Sequence, residues 1–272
     1  MRVWWNGKIS RKAMVLSPQD RGLTLGDGVF DTLLVRDGVP LWRFEHVERL
    51  RAAAGELGLP FPEEEVDNAV DALSHKAKGH HVLRLTLTRG EGGRGLAAPA
   101  GKATLIGTLA PFDAKLQFQP VTLMTSAVRR NLASPASRLK TLSYVDNVLA
   151  AREAAAAGRD DALMLNSSGR VACTTIGNVF VEVDGGLATP ALGEGILPGV
   201  MRGAVIAAAR RCGIAIKEKQ LRPADIARAD GMFVTNSLRY IRSVRRCDER
   251  RFTARSKLLD GIIRDVLNAE QD

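Results

Sequence analysis

The chain has 272 residues, enough for one large or two medium domains, and its 45% hydrophobic and 25% charged content is ordinary for a globular protein. No apolar run approaches the ~20 residues of a membrane span, and MRVWWNGKIS lacks a signal-peptide core with a small-residue cleavage site, so a cytoplasmic protein with no membrane partner is expected. The net charge of +9 is dispersed apart from short clusters such as Arg129-Arg130 and Arg245-Arg246, and with 5% aromatics it suits an anionic small substrate or plain solubility at least as well as nucleic acid.

In chain order, VWWNG followed by KIS reads as a hairpin, and Arg21 to Trp42 as a turn, a strand, a tight Asp37-Gly38 turn and a returning strand. RFEHVERLRAAAGELG has helical periodicity and Gly58 placed to stop it; a second helix is expected from Pro62 to about Lys78. HVLRLTLTRG alternates as a strand and runs into the glycine-rich EGGRG, and KATLIGTLA is another strand. Ala110 to Lys115 is the best linker, which gives domains of 1–111 and 112–272.

Beyond it, VTLMTSAVRRN reads as a strand, and Tyr144 to Gly158 as an alanine-rich helix with Val145, Val148, Leu149 and Ala151 at helical spacing. ALMLNSSGRVACT and NVFVEVDGGLATP carry strands with Ser-Gly and Asp-Gly-Gly turns; GVMRGAVIAAARRCG is a helix closed by Gly213. IAIKEKQL and GMFVTNSL are strands around a short helix near Pro223, and a last helix spans about Ala254 to Leu267. Cys173, Cys212 and Cys247 are odd in number and scattered, so neither a disulfide framework nor a metal site is expected.

The segment SRLKTLSYVDNVLAAREAAAAG begins at Ser137 and carries Lys140 just before a helix, or on the strand or loop feeding it. A lysine there can be partly buried, and burial lowers its pKa toward the nucleophilic range. Taken alone, among 39 basic residues, it reads first as a solvated lysine at a helix start. Downstream lie GRVACTTIGNVF from Gly169 to Phe180, Thr189-Pro190, and GILPGVMR from Gly195 to Arg202. Lysine, a glycine-turn strand ending in Asn, and a Gly-Pro loop opening a helix, in that order, resemble the class IV aminotransferase family over roughly residues 2 to 245. These are the fold-type IV pyridoxal phosphate (PLP) enzymes, which include branched-chain and D-amino-acid aminotransferases and 4-amino-4-deoxychorismate lyase.

The resemblance implies a two-domain α/β (α+β) fold of the D-amino-acid aminotransferase type, PLP in the cleft between the domains, and a homodimer whose partner helps to build the site. The second, larger domain would carry Lys140 as Schiff-base lysine and as general base and acid. Cofactor contacts would come from the amides of Val200 and Met201 at a helix start, from Arg49, from Asn236, Ser237 and Leu238, and from Asn178 of the Asn-x-Phe motif. Without the resemblance, Arg49 reads as a surface partner of Glu45, and Thr235-Asn236-Ser237 as a turn.

One position departs from the family pattern. Five residues before Asn178, where the family usually places a glutamate against the pyridine nitrogen, stands Cys173. A neutral thiol holds that nitrogen protonated less well than a carboxylate does. The consequence is a weaker electron sink, compensation by another acid, or a weakened PLP-binding homologue.

Three stretches resemble aminodeoxychorismate lyase most. They are TRGEGGRG, with Arg94 a candidate for a substrate carboxylate; GDGVFDT, with Phe30 beside the substrate; and TNSLRYIRSV. The implied reaction forms 4-aminobenzoate and pyruvate, in the folate pathway, from a small anionic amino substrate. Transamination of D- or branched-chain amino acids is the alternative. Arg129 and Arg130 read as an exposed basic pair.

Overall fold

Alternating apolar residues on facing strands build the first sheet. The structure, a computed structural model, describes residues 1–5, 7–10, 14–97, 101–252 and 256–270. It divides into two compact units, one of Met1–Ala114 with Leu139–Ser143, the other of Lys115–Arg138 with Tyr144–Asp272.

In the first unit β1 (Arg2–Trp5), β2 (Lys8–Ser10), β3 (Gly28–Arg36), β4 (Val39–Pro40), β5 (His80–Thr88) and β6 (Thr104–Pro111) form an antiparallel sheet ordered β2-β1-β6-β5-β3-β4. Asn6, in the expected first turn, lies outside the described residues. Leu83, Leu85 and Leu87 of β5 are buried on one face, and Arg84 and Thr86 fall on the other. The apolar face packs with α2 (Arg43–Glu56) and α3 (Glu63–Ser74) through Leu33, Leu50, Ala54, Val66, Val70 and Leu73, each worth about 1.5–3 kcal/mol if a full-sized aliphatic side chain.

Two local readings change. The expected turn after Asp20 is a short helix, α1 (Arg21–Leu25), because the Asp20 carboxylate accepts from the Gly22 amide at 2.8 Å. Helix α3 ends at Ser74 rather than near Lys78: His75, at ψ 130°, leaves the helical track, and Lys76 follows at a φ of 58°.

The second unit holds β7 (Val121–Thr125), α4 (Val145–Ala156), β8 (Asp161–Leu165), β9 (Val171–Thr174), β10 (Asn178–Val183), β11 (Gly186–Pro190), α5 (Val200–Arg211) and β12 (Ile216–Lys219). It continues with α6 (Pro223–Arg228), β13 (Gly231–Asn236), β14 (Tyr240–Cys247), β15 (Arg250–Arg251) and α7 (Lys257–Asn268). The strands run β12-β11-β10-β13-β14-β7-β8-β9, and β9 pairs back onto β10 through Cys173 and Asn178, so the run from β10 to β9 closes on itself. The expected helix start at Ala254 lies outside the described residues. Strand β7 stops at Thr125, short of the expected Asn131, where the Asp248 carboxylate receives the Thr125 amide and hydroxyl. Among the described residues no helix is long and apolar enough to cross a membrane.

The expectation that Lys140 belongs to the second domain is corrected. Leu139–Ser143 groups with the first unit because it pairs with the start of β3. The Phe30 amide donates to the Lys140 carbonyl at 2.8 Å, the Leu142 amide to the Gly28 carbonyl at 3.0 Å, and Val29 bridges Thr141. Strand β4 covers only Val35 and Arg36 of that edge, so this segment satisfies the backbone groups at its other end. The division falls between Ala114 and Lys115, inside the expected linker Ala110 to Lys115 but three residues past the expected boundary, because β6 runs through Pro111.

Candidate functional site

In the first unit the centre is Asp31 on β3, fully buried and met by Arg49 and His46 of α2. Arg49 meets it with Nε on Oδ2 at 2.9 Å and Nη2 on Oδ1 at 2.8 Å, and His46 Nδ1 lies 2.7 Å from Oδ1. Three residues apart on one helix face, His46 and Arg49 reach the same carboxylate, so Arg49 faces inward rather than pairing with Glu45. Burial alone would raise the Asp31 carboxyl; Arg49 and His46 override it and hold the pKa well below the usual carboxylate range. His46 Nε2 is buried with no hydrogen-bond partner among the described residues.

Phe30, the neighbour of Asp31, points to the opposite face. Lys140 Nζ lies 4.2 Å from its ring centroid and Arg84 Cζ 3.6 Å, two cationic groups against one ring. Burial pushes the Lys140 pKa down to about 8; Asp31 pulls it back up, and Arg49 and Arg84 lower it further. The amine therefore titrates close to neutrality, as a group that both takes and returns a proton must.

In the second unit Asn178 is paired across β9 with Cys173 and across β13 with Thr235, so these three side chains share one face. Asn178 Nδ2 donates to the Leu197 carbonyl at 2.9 Å and fixes the loop that enters α5. That loop needs Gly199, because a Cβ there would stand 2.1 Å from Asn178 Oδ1. Gly199 gives α5 no side-chain cap, and the first amides of any α-helix, here those of Val200 and Met201, have no intrahelical acceptor.

The Thr235 hydroxyl is buried with no partner among the described residues. After it, Asn236 Oδ1 accepts from the Leu238 and Arg239 amides at 3.1 and 2.8 Å, which folds Asn236-Ser237-Leu238 tightly. Burial raises the Cys173 thiol to about 11, with Arg130 acting against it and Asp161 with it, so the thiol is neutral at neutral pH.

Arg94 opens elsewhere in the first unit, onto a cleft of about 850 Å3 lined among others by Arg21, Leu25, Glu91 and Leu96, and by none of Lys140, Phe30 or Arg49. The expected exposed pair divides: Arg129 is exposed, whereas half-buried Arg130 donates to Asn147 Oδ1 at 3.1 Å and to the Ser137 carbonyl at 2.5 Å.

The family model for amino-transferase class IV matches residues 28–247. The chain belongs to the class IV aminotransferases. Among this class's curated members, a protein of Methanocaldococcus jannaschii, provisionally named a branched-chain-amino-acid aminotransferase, is 34% identical over 245 residues, 87% of this chain and 84% of its own. The aminodeoxychorismate lyase of Bacillus subtilis is 31% identical over 246 residues, 87% and 83% of the two chains. A Legionella pneumophila structure, provisionally named a 4-amino-4-deoxychorismate lyase, superposes with a TM-score of 0.89 at 31% identity, covering 96% of this chain and 97% of that one.

Class IV aminotransferases depend on PLP, and the residues present fit it. The cofactor needs a partly desolvated primary amine and donors for a phosphate dianion. Lys140 is such an amine; the uncapped start of α5 and the orphaned Thr235 hydroxyl are such donors. Asp31, His46, Arg84 and Thr235 were not singled out from the sequence. Arg84 carried a faint signal, a charge on the polar face of an alternating strand. The others look ordinary until the chain is folded.

Proposed function

We propose that this chain is a PLP-dependent lyase that converts 4-amino-4-deoxychorismate to 4-aminobenzoate and pyruvate, with Lys140 as the group that bonds the cofactor and moves the proton. The carrying observation is the half-buried Lys140 amine, its pKa near 8, against Phe30. The phosphate is assigned to the amides of Val200 and Met201, the Asn236-Ser237-Leu238 turn, the Thr235 hydroxyl and Arg49, whose Nε and Nη2 are oriented by Asp31. Asn178 sets the loop before α5, and Cys173 is assigned to the side of the site that would hold the ring nitrogen, where it would stand as an uncharged group.

When bound, PLP supplies an electron sink for the substrate carbon that loses its proton. Lys140 takes that proton at Nζ and later returns one, which a pKa near 8 permits at neutral pH. Asp31 offsets the positive charge this places on the amine, and Arg84 opposes it, so the proton is not held too tightly. Phe30 covers the amine and limits water around it. Arg94 is assigned to a carboxylate of the substrate, reaching it across the interface of a homodimer, and the setting proposed is folate synthesis in the cytoplasm.

The lyase relatives and the glycine-rich Arg94 loop support this over the aminotransferase reading, which the M. jannaschii relative favours. The test is to assay the PLP-loaded protein with 4-amino-4-deoxychorismate and, in parallel, with D- and L-amino acids plus a keto acid. Pyruvate and 4-aminobenzoate from the first is the expected result; keto-acid formation from the panel alone would make the chain an aminotransferase. Lys140→Ala should lose visible PLP absorbance and turnover together, and retained turnover would refute its role.

A further inference from the structure

The glycine-rich stretch that carries Arg94 has every reason to be mobile. Gly93 and Gly95 have no atoms crowding the position of a Cβ, and Gly95 sits at a φ of 106°, a conformation open to glycine and strained for other residues. Such a loop loses much conformational freedom when it orders, which weakens any ligand bound at its tip.

The structure holds the loop at both ends of its turn. At its base the Gly92 amide donates to the Gln19 carbonyl and the Gly101 amide to the Glu91 carbonyl, at 3.3 and 3.0 Å. At its tip the two carbonyls that follow Arg94 accept from one side chain: Arg21 Nη1 donates to Gly95 O at 2.9 Å and Nη2 to Leu96 O at 2.8 Å.

Arg21 is itself immobilised. Only 5% exposed, it opens α1, where its amide donates to the Gly90 carbonyl, and its Nε bonds Asp27 Oδ2 at 3.0 Å. Arg89 locks the same carboxylate oxygen from the other side at 2.7 Å and spends its two Nη atoms on the carbonyls of Gly58 and Leu57. A rigid Arg21-Asp27-Arg89 array thus reaches the loop through the planar fork of one guanidinium, and a lysine ammonium cannot span that geometry.

We infer that Arg21 is a positioning residue for Arg94: by holding the Gly95 and Leu96 carbonyls it orders the loop in the conformation that presents the Arg94 guanidinium to a substrate carboxylate. The inference rests on the reading of Arg94 as a carboxylate reader, and the experiment separates the two.

The PLP-loaded protein is compared with Arg94→Ala, Arg21→Lys and the double variant. KM and kcat are measured for the dicarboxylate 4-amino-4-deoxychorismate and for a monocarboxylate amino acid that the parent turns over. Arg21→Lys is expected to raise KM for the dicarboxylate roughly tenfold, the scale of one lost charge-assisted hydrogen bond, with kcat falling less than about twofold. On the Arg94→Ala background the same change is expected to add less than about twofold, because the group it positions is gone.

Equal losses for both substrates, or full additivity with Arg94→Ala, would overturn the positioning role and leave Arg21 as fold support only. A silent Arg94→Ala would overturn the carboxylate reading itself, and this inference with it. A readout independent of activity is trypsin cleavage after Arg94 in the native protein. Cleavage is expected to speed up several-fold in Arg21→Lys, and an unchanged rate would refute the claim that Arg21 orders the loop.

Discussion

Arg84→Gln is the sharpest test of how Lys140 is tuned. The two groups lie 3.6 and 4.2 Å from the same ring centroid, so they are within about 8 Å of each other. Two unit charges at that distance, with an effective dielectric between about 20 and about 80, repel enough to hold the Lys140 midpoint down by roughly 0.4 to 1.5 pH units. Removing Arg84 should therefore move the midpoint from about 8 to between roughly 8.4 and 9.5. At pH 7 the unprotonated fraction, and with it the rate at which the apoprotein captures PLP, should fall roughly 2- to 30-fold. The assay is stopped-flow growth of visible absorbance across a pH series, read as the midpoint of the rate profile, so that a general loss of affinity does not mimic the effect. A midpoint that stays or falls would refute the electrostatic assignment. One that climbed to about 10.5, the value of a free lysine, would refute burial as the leading cause.

Three further perturbations probe the surroundings. Asp31→Asn leaves Arg49 beside a neutral group in a nearly closed site, and a loss of about 3–5 kcal/mol in urea unfolding is expected. Because the Asp31 carboxyl is held below its usual pKa, the stability it contributes is present above about pH 4 and lost as pH falls through the lower folded value; acid unfolding of the parent should be steeper there than that of Asp31→Asn, and equal slopes would count against the pairing. Gly199→Ala puts a Cβ where Asn178 Oδ1 stands, and should cost about 1–3 kcal/mol and loosen PLP, measured by equilibrium dialysis. Cys173→Glu supplies the carboxylate that the family usually places there, and should raise aminotransfer relative to elimination; an unchanged ratio of the two activities would indicate that the ring nitrogen does not limit the reaction.

What could be read before folding followed chain distance. The glycine-rich entry to α5 and the spacing of five between Cys173 and Asn178 are local, and in the fold that spacing is the turn that sets the two residues opposite each other. The Asp31 array joins β3 to α2 across fifteen and eighteen positions, and nothing in either segment points to the other. Strand β14 has no counterpart in the sequence reading, which assigns no element to YIRSVRRC; its Tyr240, Ile241, Val244 and Cys247 are buried between β13 and β7, while Arg246 pairs with Glu249 outside. Lys140 was singled out by its company in the sequence, yet its unit was misassigned, because backbone pairing with Gly28 and Phe30 leaves no mark on side-chain pattern.

That pairing bears on how the protein can be taken apart. A fragment ending at Ala114 would carry nearly all of the first unit's sheet and helices, but it would lack the Leu139–Ser143 stitch and so leave the Gly28 to Phe30 edge of β3 bare. A bare strand edge invites a strand from another molecule, so such a fragment should self-associate even with its core formed. On the ribosome the same edge waits until residue 143 has emerged, after the first strand of the second unit has been made. The lysine thus arrives on the piece of chain that seals the first unit, and the sheet is finished and the amine installed in one event.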